Sequence, residues 1–131
     1  MKTIEFVIDL TDAKNEQDVF DKLNSVFREE LKNYTWDIRS WDGLDDFLWG
    51  FIQGALPNDP VSYGSDVEKL EIKIINSKHL DKWRALLVKN AEKSIYEALS
   101  DSFNFTMEER AKRLEPDDPP VFKNSTLEII S

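Results

Sequence analysis

Two stretches far apart in the chain alternate apolar and charged residues. Thr3 to Leu10 sets Ile4, Phe6, Ile8 and Leu10 opposite Glu5 and Asp9, and Leu70, Ile72 and Ile74 alternate with Lys69, Glu71 and Lys73. A period of two predicts a strand with one face turned to a core. Val7 is apolar as well, so the first strand is expected to be buried on both faces. Between the strands the period changes. Val19, Phe20, Leu23, Val26, Phe27 and Leu31 recur at helical spacing behind Asn15, a good N-cap, and this helix is expected to end near Asn33. Ser40 caps a second helix, from Trp41 to about Gln53. A chain that returns to the same sheet after helices does so by a crossover, which favours parallel strands.

The remainder extends this pattern. Residues 54–64 hold Pro57, Asn58, Asp59 and Pro60 and read as a loop. Asn76 or Ser77 is expected to cap a helical region carrying Leu80, Trp83, Leu87, Ala91, Ile95 and Leu99, as one helix or two, with a further short helix from Thr106 to Leu114. Glu115-Pro116-Asp117-Asp118-Pro119-Pro120 stops it, and Leu127, Ile129 and Ile130 form a last strand. The expected architecture is a single α/β domain over residues 1–131, a small three-stranded parallel sheet packed with about four helices. That length, at 40% hydrophobic, suffices for one core.

The second helix has an unusual face. Projected at about 100° per residue, Trp41, Leu44, Phe47, Leu48, Phe51 and Ile52 share one broad sector. Asp42, Asp45, Asp46 and Trp49 fall together on the other side. Asp42 and Asp46 are neighbours on the helix surface, and such like-charge pairs cost about 0.2–0.5 kcal/mol each. The first-turn position of Asp42 offsets part of this through the helix dipole. No base lies within the helix, and Arg39 just before it is the nearest candidate to neutralise the group. The three aspartates are either a solvated face or a binding face. Trp49 is either an exposed interface anchor or a side chain lying beneath the loop 54–64.

Charge and chemistry narrow the function. The chain has 26 acidic residues against 17 basic ones, a formal net charge of −9, which repels nucleic-acid phosphates and attracts basic partners. There is no cysteine, so disulfides and thiolate metal sites are excluded. The single histidine, His79, has no partner motif, and no phosphate-binding glycine loop, HExxH or EF-hand pattern occurs. The expectation is a binding protein, not an enzyme, with no cofactor and no metal. Met1-Lys2-Thr3-Ile4-Glu5 lacks the apolar stretch of a secretion signal and no run is long enough to span a membrane, so a cytoplasmic location is expected.

At the acidic helix the sequence resembles a known family. Ser40-Trp41-Asp42-Gly43-Leu44-Asp45-Asp46-Phe47-Leu48 looks like the helix signature of the barstar family, the intracellular inhibitors of barnase-type ribonucleases: a polar residue, an apolar residue and Asp, then after three positions a second Asp followed by apolar residues. Gly50-Phe51 is similar to the family's glycine-aromatic pair, and the order of elements, ending in Ile129-Ile130-Ser131, is similar too. The resemblance implies a barstar-like fold and a one-to-one complex with a basic nuclease toxin. It implies that Asp42 and Asp46 enter the enzyme's active site in place of substrate phosphate. It further implies an aromatic contact from the preceding loop, best matched by Trp36 and next by Tyr34, and a carboxylate from a later helix, Asp101 or Glu97. Asp45 has no counterpart and serves as supporting charge, and Trp49 is a possible anchor. The chain departs from the family in lacking a glycine in Trp36-Asp37-Ile38-Arg39, in carrying Arg39 near the supposed interface, and in residues 104–124, an insertion relative to the shortest members. The alternative is an acidic immunity or adaptor protein of another family that uses a different surface.

Overall fold

A computed structural model describes residues 2–31, 34–53, 67–88 and 92–131. Three strands, β1 (Lys2–Asp9), β2 (Val67–Ile75) and β3 (Thr126–Ile130), form one sheet in the order β1-β2-β3, with both pairings parallel. Helices α1 (Glu16–Glu30) and α2 (Trp41–Ile52) lie between β1 and β2 in the chain, and α3 (Ile95–Arg113) and the short α4 (Pro120–Asn124) lie between β2 and β3. The protein is thus α/β, with a small three-stranded parallel sheet and four helices among the described residues, as the alternating and helical periods predict. No helix among the described residues is long and apolar enough to cross a membrane.

The core lies against one face of the sheet. Phe6, Ile8, Leu70, Ile72, Ile74 and Leu127 point into it and meet Phe20, Leu23 and Phe27 of α1 and Leu44, Phe47, Leu48 and Phe51 of α2. Aromatic rings build its centre: Phe27 and Phe47 sit 4.5 Å apart, and Phe6 meets both Phe27 and Phe51 edge-on at 5.4 Å. The opposite face of the sheet carries charged side chains. Val7, expected to be buried, is 48% exposed there. The reason is register: Val7 pairs with Lys73, in a face that also carries Glu5, Lys69 and Glu71. Lys73 bridges to Glu5 at 3.0 Å, and a hydrogen bond from Lys69 is the main force holding the Glu71 carboxyl below its ordinary range. Parallel sheets are usually covered on both sides. Here charge pairing replaces the second layer.

The connection after β2 differs from the expected helix. Asn76 takes a left-handed conformation (φ 57°) and ends the strand, and a single 3-10 turn, Lys78–Lys82, follows without a side-chain cap. Leu80 from this turn is buried, but Trp83 and Leu87, expected on the same buried stripe, are exposed. Ala91 and the loop 54–64 lie outside the described residues; the first helix, expected to end near Asn33, ends at Glu30, where Leu31 turns extended. The helix starts only at Ile95, behind a capping box in which Ser94 and Glu97 satisfy each other's backbone N–H groups. It then runs unbroken to Arg113, so the separate helix expected from Thr106 is its second half. Its buried residues Ile95, Ala98, Leu99, Ser102, Phe103 and Thr106 keep one helical period throughout. Glu115–Pro119 ends it as expected, and Pro120 opens α4, which the sequence reading missed. The Arg110 guanidinium donates to the Phe122 and Ser125 carbonyls and ties α4 to α3.

Candidate functional site

The acidic helix forms where expected. Ser40 accepts a hydrogen bond from the Gly43 N–H at 3.0 Å, and all six residues assigned to its apolar sector are buried. A Cβ on Gly43 would stand 3.2 Å from the capping hydroxyl, so the glycine keeps that first turn uncrowded. The polar side, however, is not one surface. Helix α3 packs along it. Asp42 and Asp46 stay exposed at the outer edge, while Asp45 and Trp49 are half-buried in the seam.

The seam holds two clefts. Asp42, Asp45, Val88, Lys93, Asp101 and Phe105 line one of them. Asp45, Asp46, Trp49, Phe105, Glu109 and Arg113 line the other. Asp42 and Asp46 have no hydrogen bond or ion pair among the described residues. Nearby cations are engaged elsewhere. Arg39, the expected neutraliser, binds Asp37 at 2.7 Å, and Lys93 pairs with Asp101. The Arg113 guanidinium lies over the Trp49 ring, 5.2 Å from its centre, and also pairs with Glu109.

Trp49 is half-buried: its ring meets Phe122 edge-on at 6.0 Å and is roofed by Arg113, both in the 104–124 segment, while the loop 54–64, the other expected cover, lies outside the described residues. Asp45 is more constrained than supporting charge would be. Its Oδ1 is buried without a hydrogen-bond partner among the described residues. Burial pushes its carboxyl above the usual aspartate range; the neighbouring Ser102 hydroxyl acts against this, and Asp42 and Asp46 add to it.

This arrangement makes the contribution of Asp45 to stability depend on pH. A raised carboxyl favours folding only when protonated, so that contribution should rise as pH falls from neutral through the raised Asp45 value to the ordinary 3.8, while the lowered Glu71 acts in the opposite direction below its ordinary 4.5. Below that the sign reverses at Asp9, which hydrogen bonds from Thr11 and Asn76 lower to about 2, so its contribution is lost between 3.8 and about 2. Asp45→Asn should stabilise the protein by about 0.5–1 kcal/mol at pH 7, discounted for the solvent that still reaches the carboxylate. Urea unfolding at pH 7 and pH 4 checks this: the gain should shrink towards the lower pH, and an equal gain at both would assign it to packing.

The loop before α2 is built around Asn24 of α1. Its side chain accepts from the Ile38 N–H and the Tyr34 hydroxyl, both at 2.9 Å, and donates to the Ile38 carbonyl at 3.0 Å and to Asp37 at 3.2 Å. Tyr34 therefore faces inward, its ring against Phe27 and Phe47, and burial pushes its hydroxyl pKa up. Trp36 is half-buried against the core on the same loop, and neither aromatic residue lines the two acidic clefts. Asn24→Ala should cost about 2–3 kcal/mol, because it strands the buried Ile38 amide and carbonyl. Denaturant titration measures that loss; a cost below about 1 kcal/mol would mean water replaces the side chain.

Asp101 lines one cleft with Asp42 and Asp45 and is paired with Lys93. Glu97 does not join them; it is spent on the α3 cap. Two contributors carry no local signal in the sequence. Phe105 is 53% exposed between the clefts, and Glu16, 8% exposed, braces the base of the acidic helix through a 2.7 Å bond from Trp41 Nε1. No group of three or more His, Cys, Asp or Glu able to hold a metal occurs among the described residues.

No family model, curated protein or solved structure matches the chain. The case for a partner therefore rests on the site itself and on the motif over residues 40–51.

Proposed function

We propose that the protein is an inhibitor that neutralises a basic ribonuclease-type toxin in the cytoplasm, one to one, by laying the edge of α2 into the enzyme's active site. The supporting observation is the pair Asp42 and Asp46, exposed on successive turns of one helix and unpaired among the described residues while the neighbouring cations are bound to other groups. A ribonuclease gathers cations around the scissile phosphate, and two carboxylates at one helical pitch offer that cluster the charge it is built to hold. The like-charge cost borne by the free helix is relieved on binding. In this reading the protein itself performs no chemistry and needs no cofactor. The test is to mix it with a panel of small basic ribonucleases, including any encoded beside it, and follow RNA cleavage. Stoichiometric inhibition of at least one member is expected, and no inhibition of any defeats the reading.

One observation favours a second reading, an acidic immunity or adaptor protein of another family with a different contact surface. Tyr34 is tied inward and Asp101 is paired with Lys93, so two contacts implied by the family resemblance are already spent. Alanine substitution of Asp46 and Trp36 separates the two: loss of binding at both fits the family arrangement, and wild-type binding by both variants fits the second.

A further inference from the structure

Residues 83–88, which follow the 3-10 turn, expose apolar side chains on a backbone that is firmly held. Leu86 is 78% exposed and Leu87 55%. Single surface leucines need no explanation, but adjacent ones on a fixed loop do. The fixing is extensive. Ala85 is buried, its N–H donates to the Lys93 carbonyl at 2.8 Å, and the Ile95 N–H donates to the Trp83 carbonyl at 2.9 Å. The next two amides are caught by the buried Glu16: Leu86 N–H donates to Oε1 at 2.6 Å, and Leu87 N–H lies 3.2 Å from both carboxylate oxygens. Glu16 Oε2 also takes the Trp41 indole N–H, one residue before Asp42. One buried carboxylate thus positions both the loop and the first turn of the acidic helix. Val88, the next residue, lines the same cleft as Asp42, Asp45 and Asp101.

We propose that Leu86 and Leu87 form an apolar contact continuous with the acidic edge of α2, on which the same basic protein partner seats a non-polar patch bordering its cationic site. This rests on the inhibitor reading above and names the second half of the surface. Charge selects the occupant. A second copy of this chain would bring Asp42, Asp46 and Asp101 towards their own likeness under a net charge of −9, whereas a basic partner gains from the same carboxylates. Because the backbone at Leu86 and Leu87 is already held by Glu16, these leucines bury apolar area without the usual ordering cost.

The test measures equilibrium and dissociation constants for the whole protein against a panel of small basic ribonucleases at two salt concentrations, for the wild type, Asp46→Ala and Leu86→Ser/Leu87→Ser. The leucine variant should lose roughly ten- to hundred-fold in affinity, mostly through faster dissociation, with the salt dependence unchanged. Asp46→Ala should lose affinity and weaken the salt dependence. Wild-type affinity in the leucine variant, with Asp46→Ala impaired, overturns the loop contact and leaves the acidic-edge reading standing. Absence of binding by every ribonuclease overturns both. If the double variant melts lower than the wild type, Leu86→Ser alone carries the test, since its side chain is mostly in solvent and its amide bond to Glu16 is kept. Sedimentation of the free protein closes the remaining route: a dimer that Leu86→Ser dissolves assigns the loop to a second copy and overturns the proposal.

Discussion

Asp46→Ala should weaken binding of a basic nuclease partner by about 2–5 kcal/mol, the cost of removing one member of a buried charge pair. That corresponds to a roughly 30-fold to several-thousand-fold rise in Kd. Asp46 is exposed and has no hydrogen bond or ion pair among the described residues, so the substitution removes nothing that holds the fold together. It also removes like charge beside Asp42 and Asp45, and the free protein should melt no lower than the wild type and slightly higher if anything. The two readouts move in opposite directions, and that pattern marks a residue kept for binding. Calorimetric titration with the partner, beside thermal melts of the free variant, tests it. Unchanged affinity would remove Asp46 from the interface. A lowered melting temperature would instead give it a structural part.

Much of the fold is legible in the sequence because its signals are local. Strands β1 and β2 follow from the alternation around Phe6 and Ile72, and α1 and α2 from apolar spacing behind Asn15 and Ser40, two caps that the structure places as read. The failures have tertiary causes. Val7 looks like a core residue until its register beside Lys73 is known, because nothing local says that helices cover only one face of the sheet. Trp83 and Leu87 fall on a plausible helical stripe, but the backbone there is caught by Glu16 and by the Lys93 carbonyl. Helix α3 was legible in principle. The spacing Ile95, Ala98, Leu99, Ser102, Phe103, Thr106 is regular, and the interruption by Ser102 and Thr106 hides it from a reading that counts only apolar residues. Phe105, like Tyr96, is an aromatic residue of that helix off the buried stripe.

The candidate site divides the same way. The exposed edge, Asp42 and Asp46, is a property of one helix and can be read from it. What separates Asp45 and Trp49 from that edge is the packing of α3 and the placing of Phe122 and Arg113, which lie far along the chain. The four residues that share a face in projection therefore have two different environments. Two are free to meet a partner, and two belong to the seam that fixes the helix bearing them.

Glu16→Ala should have the largest effect on stability, a loss of about 3–5 kcal/mol. The carboxylate is nearly enclosed and accepts from the Trp41 indole and from the Leu86 and Leu87 amides. Hydrogen bonds to a charged acceptor contribute about 1.5–3 kcal/mol each, and every stranded buried donor adds its own desolvation cost. Glu16→Gln keeps the shape and one good acceptor, so it should lose less, about 1–3 kcal/mol. Urea unfolding followed by tryptophan fluorescence gives both values, since Trp41 is one of the reporters. The distinguishing result is local. In Glu16→Ala, hydrogen exchange at the Leu86 and Leu87 amides should accelerate well beyond that in the β2 strand, because the anchor lost is theirs. Uniform acceleration across the molecule would mean that Glu16 acts on the core as a whole. Slow exchange at those two amides would mean that other groups hold the loop.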